Sequence, residues 1–245
     1  MRNSDRVVRI ERKVVKKILA KIGGIFRRTP EWRGPLISQA IEILGPECVV
    51  TGKQAAQAWG KNAPSLGRVS LRYHRATLEQ CAAENVRGTR WFLIWFFGLS
   101  LRKQREWAEG HNGQIMYFER DDQEWWTFPD ENLWADADEQ SGYRLIDYSG
   151  RFGGIPHSGQ SEAISRLGGC ERASLSFVSE GMISIKRVCD LSVLPDWYHW
   201  SGIKDSQGKF IYLGQFAERG MWIQSESLEN NDPRLRVCIS RIPDF

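Results

Sequence analysis

Apolar residues recur at helical spacing at the start of the chain. Val7, Val14, Ile18 and Ile22, with Val8, Val15 and Leu19 beside them, predict an amphipathic helix from Asp5 to Ile22 that Gly23-Gly24 ends. Arg27 to Pro35, RRTPEWRGP, reads as a hinge, because two prolines and a glycine deny a continuous helix. Leu36 to Leu44 predicts a short helix closed by Gly45-Pro46, and Thr51 is placed as the N-cap of a second over Gly52 to Trp59. After the loop Lys61 to Pro64, a longer helical pattern covers about Ser65 to Asn85.

From Arg90 onward the rhythm changes to short aromatic and β-branched runs separated by turn residues, the pattern of strands. Trp91 to Phe97 is an unbroken apolar run far short of the roughly 20 residues a membrane span needs, so it reads as a buried strand. Ser100 then caps a helix from Leu101 to about Glu109, stopped by Gly110. Hairpins are expected at Gln114 to Arg120 with Glu124 to Phe128, at Leu175 to Val178 with Met182 to Val188, and at Phe210 to Leu213 with Met221 to Gln224. Tyr143 to Tyr148 and Leu235 to Ser240 are further strands, and Gly159 to Leu167 is a helix. The expected fold is α+β: an N-terminal helical region followed by a mixed, largely antiparallel sheet with few helices. Its expected divisions are a basic arm and hinge over 1–33, a helical subdomain over 34–89 and a sheet domain over 90–245.

Composition adds three constraints. A chain of 245 residues with 41% apolar and 26% charged residues can bury a core without staples, and most of its 11 tryptophans belong there. The cysteines, Cys48, Cys81, Cys170, Cys189 and Cys238, are odd in number and show no zinc-ligand spacing, so free thiols in a reducing compartment are expected. The charged N-terminal helix lacks the apolar core of a secretory signal, and a cytoplasmic location is expected.

Charge is the most informative property. Residues 1–28 hold ten lysines and arginines against Asp5 and Glu11, a surplus of eight, whereas the whole chain carries only +4. The remainder is therefore mildly acidic, and the arm, with Arg9, Arg12, Lys13, Lys16 and Lys17 at its centre, implies a polyanionic partner. The same helix also suits an anionic membrane surface or a protein groove, although valine and isoleucine in place of tryptophan or phenylalanine weaken the membrane reading.

Two further cation sets fit nucleic acid. Thr51 to Asn85 has the rhythm of a helix-turn-helix, and on its second helix Arg68, Arg72 and Arg75 would share one face beside a packing face of Leu66, Val69, Tyr73 and Ala76. In the Leu101 helix, Arg102, Lys103 and Arg105 stand near the positive end of the dipole, an arrangement that favours a bound phosphate. Tyr117, Trp125, Trp126, Tyr212 and Trp222 would stack single-stranded bases wherever they are exposed.

Signals for catalysis are few. The glycine-rich loop Ser149 to Gln160 matches neither a P-loop nor a dinucleotide fingerprint, but it carries Arg151, His157 and Ser158, which place a candidate general base beside a hydroxyl. The acidic stretch Asp136 to Glu139 lacks calcium-loop spacing and reads as a solvated loop. No metal site or cofactor is expected. The sequence points to a DNA- or RNA-binding accessory protein rather than an enzyme. The alternative is an adaptor docking its basic helix on a larger assembly through Val14, Ile18 and Ile22, and the third reading is an endonuclease centred on His157.

Overall fold

The structure is a computed structural model that describes residues 36–60, 63–66, 70–110, 117–118, 132–227 and 229–244. The expected basic helix and hinge lie outside these residues, as do Arg68, Trp125 and Trp126 and nearly all of the hairpin expected at Gln114 to Phe128. The helices are α1 (Ile37–Leu44), α2 (Gly52–Trp59), α3 (Arg75–Val86), α4 (Leu101–Glu109), α5 (His157–Arg166) and α6 (Leu175–Cys189). The strands are β1 (Val49–Val50), β2 (Trp91–Phe96), β3 (Gly142–Arg151), β4 (Cys170–Arg172), β5 (Tyr198–Lys204), β6 (Phe210–Ala217), β7 (Gly220–Glu226) and β8 (Leu235–Arg241). The fold is α+β, as the sequence pattern implies.

Hydroxyl N-caps start three of the helices. Gln54 N donates to Thr51 Oγ1 at 3.3 Å, Lys103 N to Ser100 Oγ at 3.4 Å and Phe177 N to Ser174 Oγ at 3.3 Å. The strands form one mixed sheet in the order β1-β2-β3-β8-β5-β6-β7, with β4 joined to β8. Among the described residues β1–β2 and β5–β8 are parallel pairs and the remaining pairs are antiparallel. Because β1 pairs with β2, the helical region before Arg90 belongs to the same body as the sheet, and Gly34–Phe245 is one compact unit.

One edge of β8 is shared by two strands. Leu235 and Arg236 pair with β5, and Ile239 to Arg241 pair with β4. At the fork a side chain takes the place of a strand: Cys238 N–H donates to His199 Nδ1 at 3.0 Å, and the opposite ring nitrogen, Nε2, donates to Ala173 O at 2.9 Å. An imidazole that accepts at one nitrogen and donates at the other must be neutral. Burial, and next the charge of Arg172, lower the His199 pKa to about 3.

The largest departure from expectation is α6. Leu175 to Val178 and Met182 to Val188 are successive turns of one helix, not two strands of a hairpin. Leu175, Val178, Met182 and Ile185 recur at spacings of three and four, and Lys186 and Arg187 complement the dipole in the last turn. Ser179-Glu180-Gly181, expected as the turn, is helix interior. The helix is buried from Leu175 through Ile185, against α2, α4 and strands β1, β2, β5 and β6.

A helix enclosed on all sides needs internal partners for its polar groups. Trp59 Nε1 donates to Ser184 Oγ at 3.0 Å, and Gln104 Nε2 donates to Ser176 O at 3.0 Å. Gly181 leaves room for Tyr148, whose hydroxyl oxygen would stand 1.9 Å from a Cβ at that position. We therefore expect Gly181→Ala to destabilise the fold by about 1–3 kcal/mol in urea unfolding through overpacking. Adding Tyr148→Phe should recover part of that loss; a purely additive double variant would contradict the contact.

Candidate nucleic-acid interface

The proposed arginine face does not form. α3 begins only at Arg75, so Arg72 lies in the non-helical segment ahead of it and shares no helical face with Arg75. Arg75 pairs with Glu79 at 2.7 Å on the exposed side of α3. The N-terminus of α3, where a recognition helix would meet phosphate, is capped from the end of the chain. Asp244 accepts from His74 N and, at 3.0 Å, from Thr77 Oγ1. The main helical neighbour of α3 is α1 rather than α2, so Thr51 to Asn85 does not build a helix-turn-helix.

The second cation set is equally committed. Arg102 pairs with Asp136 at 2.5 Å, and Lys103 pairs with Asp138 at 2.5 Å. Asp138 also accepts from Ser100 N at 3.0 Å, and its hydrogen bond from Lys103 is the main reason its pKa is lowered. Arg105 is buried, its guanidinium 6.0 Å from the Phe118 ring centre. The acidic stretch expected as a solvated loop thus supplies the counter-charges of α4.

Just before α4 three backbone N–H groups converge, and a carboxyl group of the protein accepts from all of them. Phe97 N donates to Glu180 Oε1 at 2.6 Å, and Gly98 N and Leu99 N donate to Oε2 at 3.2 and 3.1 Å. Complete burial raises the Glu180 pKa to about 8 against the opposing effect of those three N–H groups.

Arg151 and His157 occupy different environments. Arg151 pairs with Asp147 at 2.7 Å and Glu84 at 3.0 Å, and Arg241 reaches the other oxygen of Glu84 at 3.1 Å. The two guanidinium carbons lie 5.8 and 5.3 Å from the Trp91 ring centre, and Trp91 Nε1 donates to Glu84 at 2.8 Å. Partial burial works to raise the Glu84 pKa, but hydrogen bonds from Trp91, Arg151 and Gln80 with the charge of Arg241 outweigh it and leave it lowered.

His157 is buried, stacked 3.9 Å from the Phe210 ring and edge-on to Trp200 at 5.2 Å. Its Nε2 meets Ser201 O at 2.7 Å, and burial, then Arg172, lower its pKa to about 4. Among the described residues no titratable side chain hydrogen-bonds to this ring, which a general base would require of its neighbours.

The aromatic candidates divide by sheet face. Tyr117 is fully buried. Tyr212 and Trp222 are half-buried and alternate with Ile211, Leu213, Met221 and Ile223, which belong to the main core. Cross-strand register aligns Tyr198, Gly214 and Trp222 in one row, and Tyr198 meets Tyr212 edge-on at 4.9 Å. The sequence reading missed Tyr198 because β5 was not foreseen, although the alternation in Tyr198-His199-Trp200 is its signal. Next to this row Arg234 is clamped to Asp232 at 2.7 Å, and Tyr212 Oη donates to Gln224 Oε1 at 3.0 Å.

None of the five cysteines forms a disulfide, and Cys81 and Cys238 are buried. Among the described residues no cluster of histidine, cysteine, aspartate and glutamate could hold a metal ion, and no helix is long and apolar enough to cross a membrane. Comparison with known proteins found no matching family model, curated protein or solved structure.

Buried titratable groups make stability depend on pH from both sides. His157 and His199 have lowered pKa values, so the stability they contribute is present above about 6.5, the unperturbed value, and is lost as pH falls toward their folded values. Glu180 acts in the opposite sense. Its raised pKa contributes stability that is complete below the ordinary value of 4.5 and is lost as pH rises through about 8. Urea unfolding across pH should therefore show a component that falls between about 4.5 and about 8 and that Glu180→Gln removes. His157→Phe, which keeps the ring stack, should make the acid limb shallower. An unchanged slope in either variant would refute the corresponding assignment.

Proposed function

We propose that this protein is a nucleic-acid-binding accessory factor whose phosphate grip is the basic arm. The observation that carries the reading is the separation of charge. Residues 1–28 have a surplus of eight positive charges, whereas in the body Arg75, Arg102 and Lys103 are paired with carboxylates and Arg105 is buried. Cations already held by internal acids release few counterions on meeting phosphate, so the arm supplies the electrostatic affinity. The half-buried aromatics Tyr198, Tyr212 and Trp222 on neighbouring strands support a secondary role for the sheet in stacking bases.

The test is binding of labelled single- and double-stranded DNA and RNA to the full chain at two salt concentrations. It is then repeated after Arg9, Arg12, Lys13, Lys16 and Lys17 are all replaced by glutamine. The expected result is salt-sensitive binding whose log–log salt slope becomes shallower by about 4 in the variant, as losing roughly five phosphate contacts predicts. Arg102→Gln with Lys103→Gln should leave the slope unchanged. If none of the four ligands binds at low salt, or if the arm variant binds like the parent, the reading fails.

A further inference from the structure

A cavity of about 320 Å³ opens where the start of β2 meets the segment between α6 and β5. Its size is at the lower end of the range for small-molecule sites, roughly 300–1,000 Å³. Two opposite charges line it, Arg90 and Asp196, together with Ser149 of β3 and apolar groups from Leu194 and Trp197. Both charged side chains belong to exposed residues. Among the described residues neither forms an ion pair, with the other or with anything else. This contrasts with Arg75, Arg102 and Lys103, each of which is matched to a carboxylate.

The walls are held in place by hydrogen bonds and by unusual backbone. Leu194 adopts φ 57° and accepts from Phe216 N at 3.0 Å, while Trp197 O accepts at 3.1 Å from Gln215 N, itself at φ 47°. Gly150 has φ 72°, and a Cβ there would come within 2.6 Å of the Trp197 indole, so the glycine lets that ring lie against β3. On the opposite wall Arg90 N and Ser149 N both donate to Asp147 Oδ1, at 3.1 and 2.8 Å, and Tyr148 N donates to Arg90 O at 2.9 Å. Left-handed backbone at non-glycine residues is strained and persists where surrounding structure imposes it, commonly around binding sites.

We propose that this cavity binds a small zwitterion of amino-acid size, with its carboxylate on Arg90, its ammonium on Asp196 and its apolar part against Leu194 and Trp197. A ligand with one charge would satisfy one wall and leave the other unmatched. A zwitterion matches both. This site is independent of the nucleic-acid reading, since it uses none of the arm's residues.

The test uses the full chain labelled with ¹⁵N, titrated with L-leucine and then with the other proteinogenic amino acids. Leucinamide, which lacks the carboxylate, and 4-methylpentanoate, which lacks the ammonium, serve as matched probes. We expect an amino acid to shift the backbone amides of Ser149 and Asp196 and the Trp197 indole N–H, with the matched single-charge analogues at least about tenfold weaker. Arg90→Ala and Asp196→Ala should each abolish those shifts while leaving the rest of the spectrum and the melting temperature unchanged, because both side chains are exposed. The proposal is overturned if no amino acid shifts these signals at millimolar concentration, if the analogues bind as tightly, or if either well-folded alanine variant still binds.

Discussion

The body is organised around a helix that has no face in water along most of its length. From Leu175 through Ile185, α6 is enclosed by two other helices and four strands, so its polar side chains depend on what surrounds them. Glu180 is the most demanding of these, since an unpaired carboxylate in such a place would be very costly. Its position sets the course of the chain after β2, because Phe97, Gly98 and Leu99 must turn their N–H groups inward to reach it. That turn delivers Ser100 to cap α4, and α4 in turn brings Gln104 back to Ser176 on α6. A single buried carboxyl thereby ties the aromatic strand, the next helix and the central helix together.

A second constraint governs the sheet. β8 cannot pair with β4 and β5 along the same edge without a gap between them, and a backbone N–H left in that gap would be buried without a partner. His199 fills the role a strand carbonyl would otherwise take, and it does so only when neutral. His157 is a parallel case on the other sheet face, where it is stacked between Phe210 and the carbonyl of Ser201 rather than presented to a substrate. His157 and His199 thus act as buried hydrogen-bonding spacers between neighbouring strands and helices.

Charge follows the same logic of internal matching. Arg75, Arg102 and Lys103, which looked available from their spacing, are met by Glu79, Asp136 and Asp138, two of which come from a segment more than thirty residues away. Arg151 and Arg241 are drawn to Glu84 around the Trp91 ring. Arg90 and Asp196 differ from these pairs in lining one cavity while forming no ion pair with each other.

The sequence by itself determined the local events. The N-caps at Thr51 and Ser100, the stop at Gly110, the buried strand starting at Trp91 and the helix closed by Gly45 all follow from short-range rules, because each depends on a few neighbouring residues. The charge asymmetry between residues 1–28 and the rest was equally legible, being a count. Only the tertiary structure decided the state of Leu175 to Cys189, since a run of apolar and β-branched residues satisfies strand and helix alike until burial on all sides selects the conformation that hydrogen-bonds its own backbone. It also decided which cations remain available, because a guanidinium on a helix reads the same whether its acid partner is distant or adjacent. Long-range pairing of charges and the fork in β8 have no local signature; they arise when the chain is folded and water is excluded.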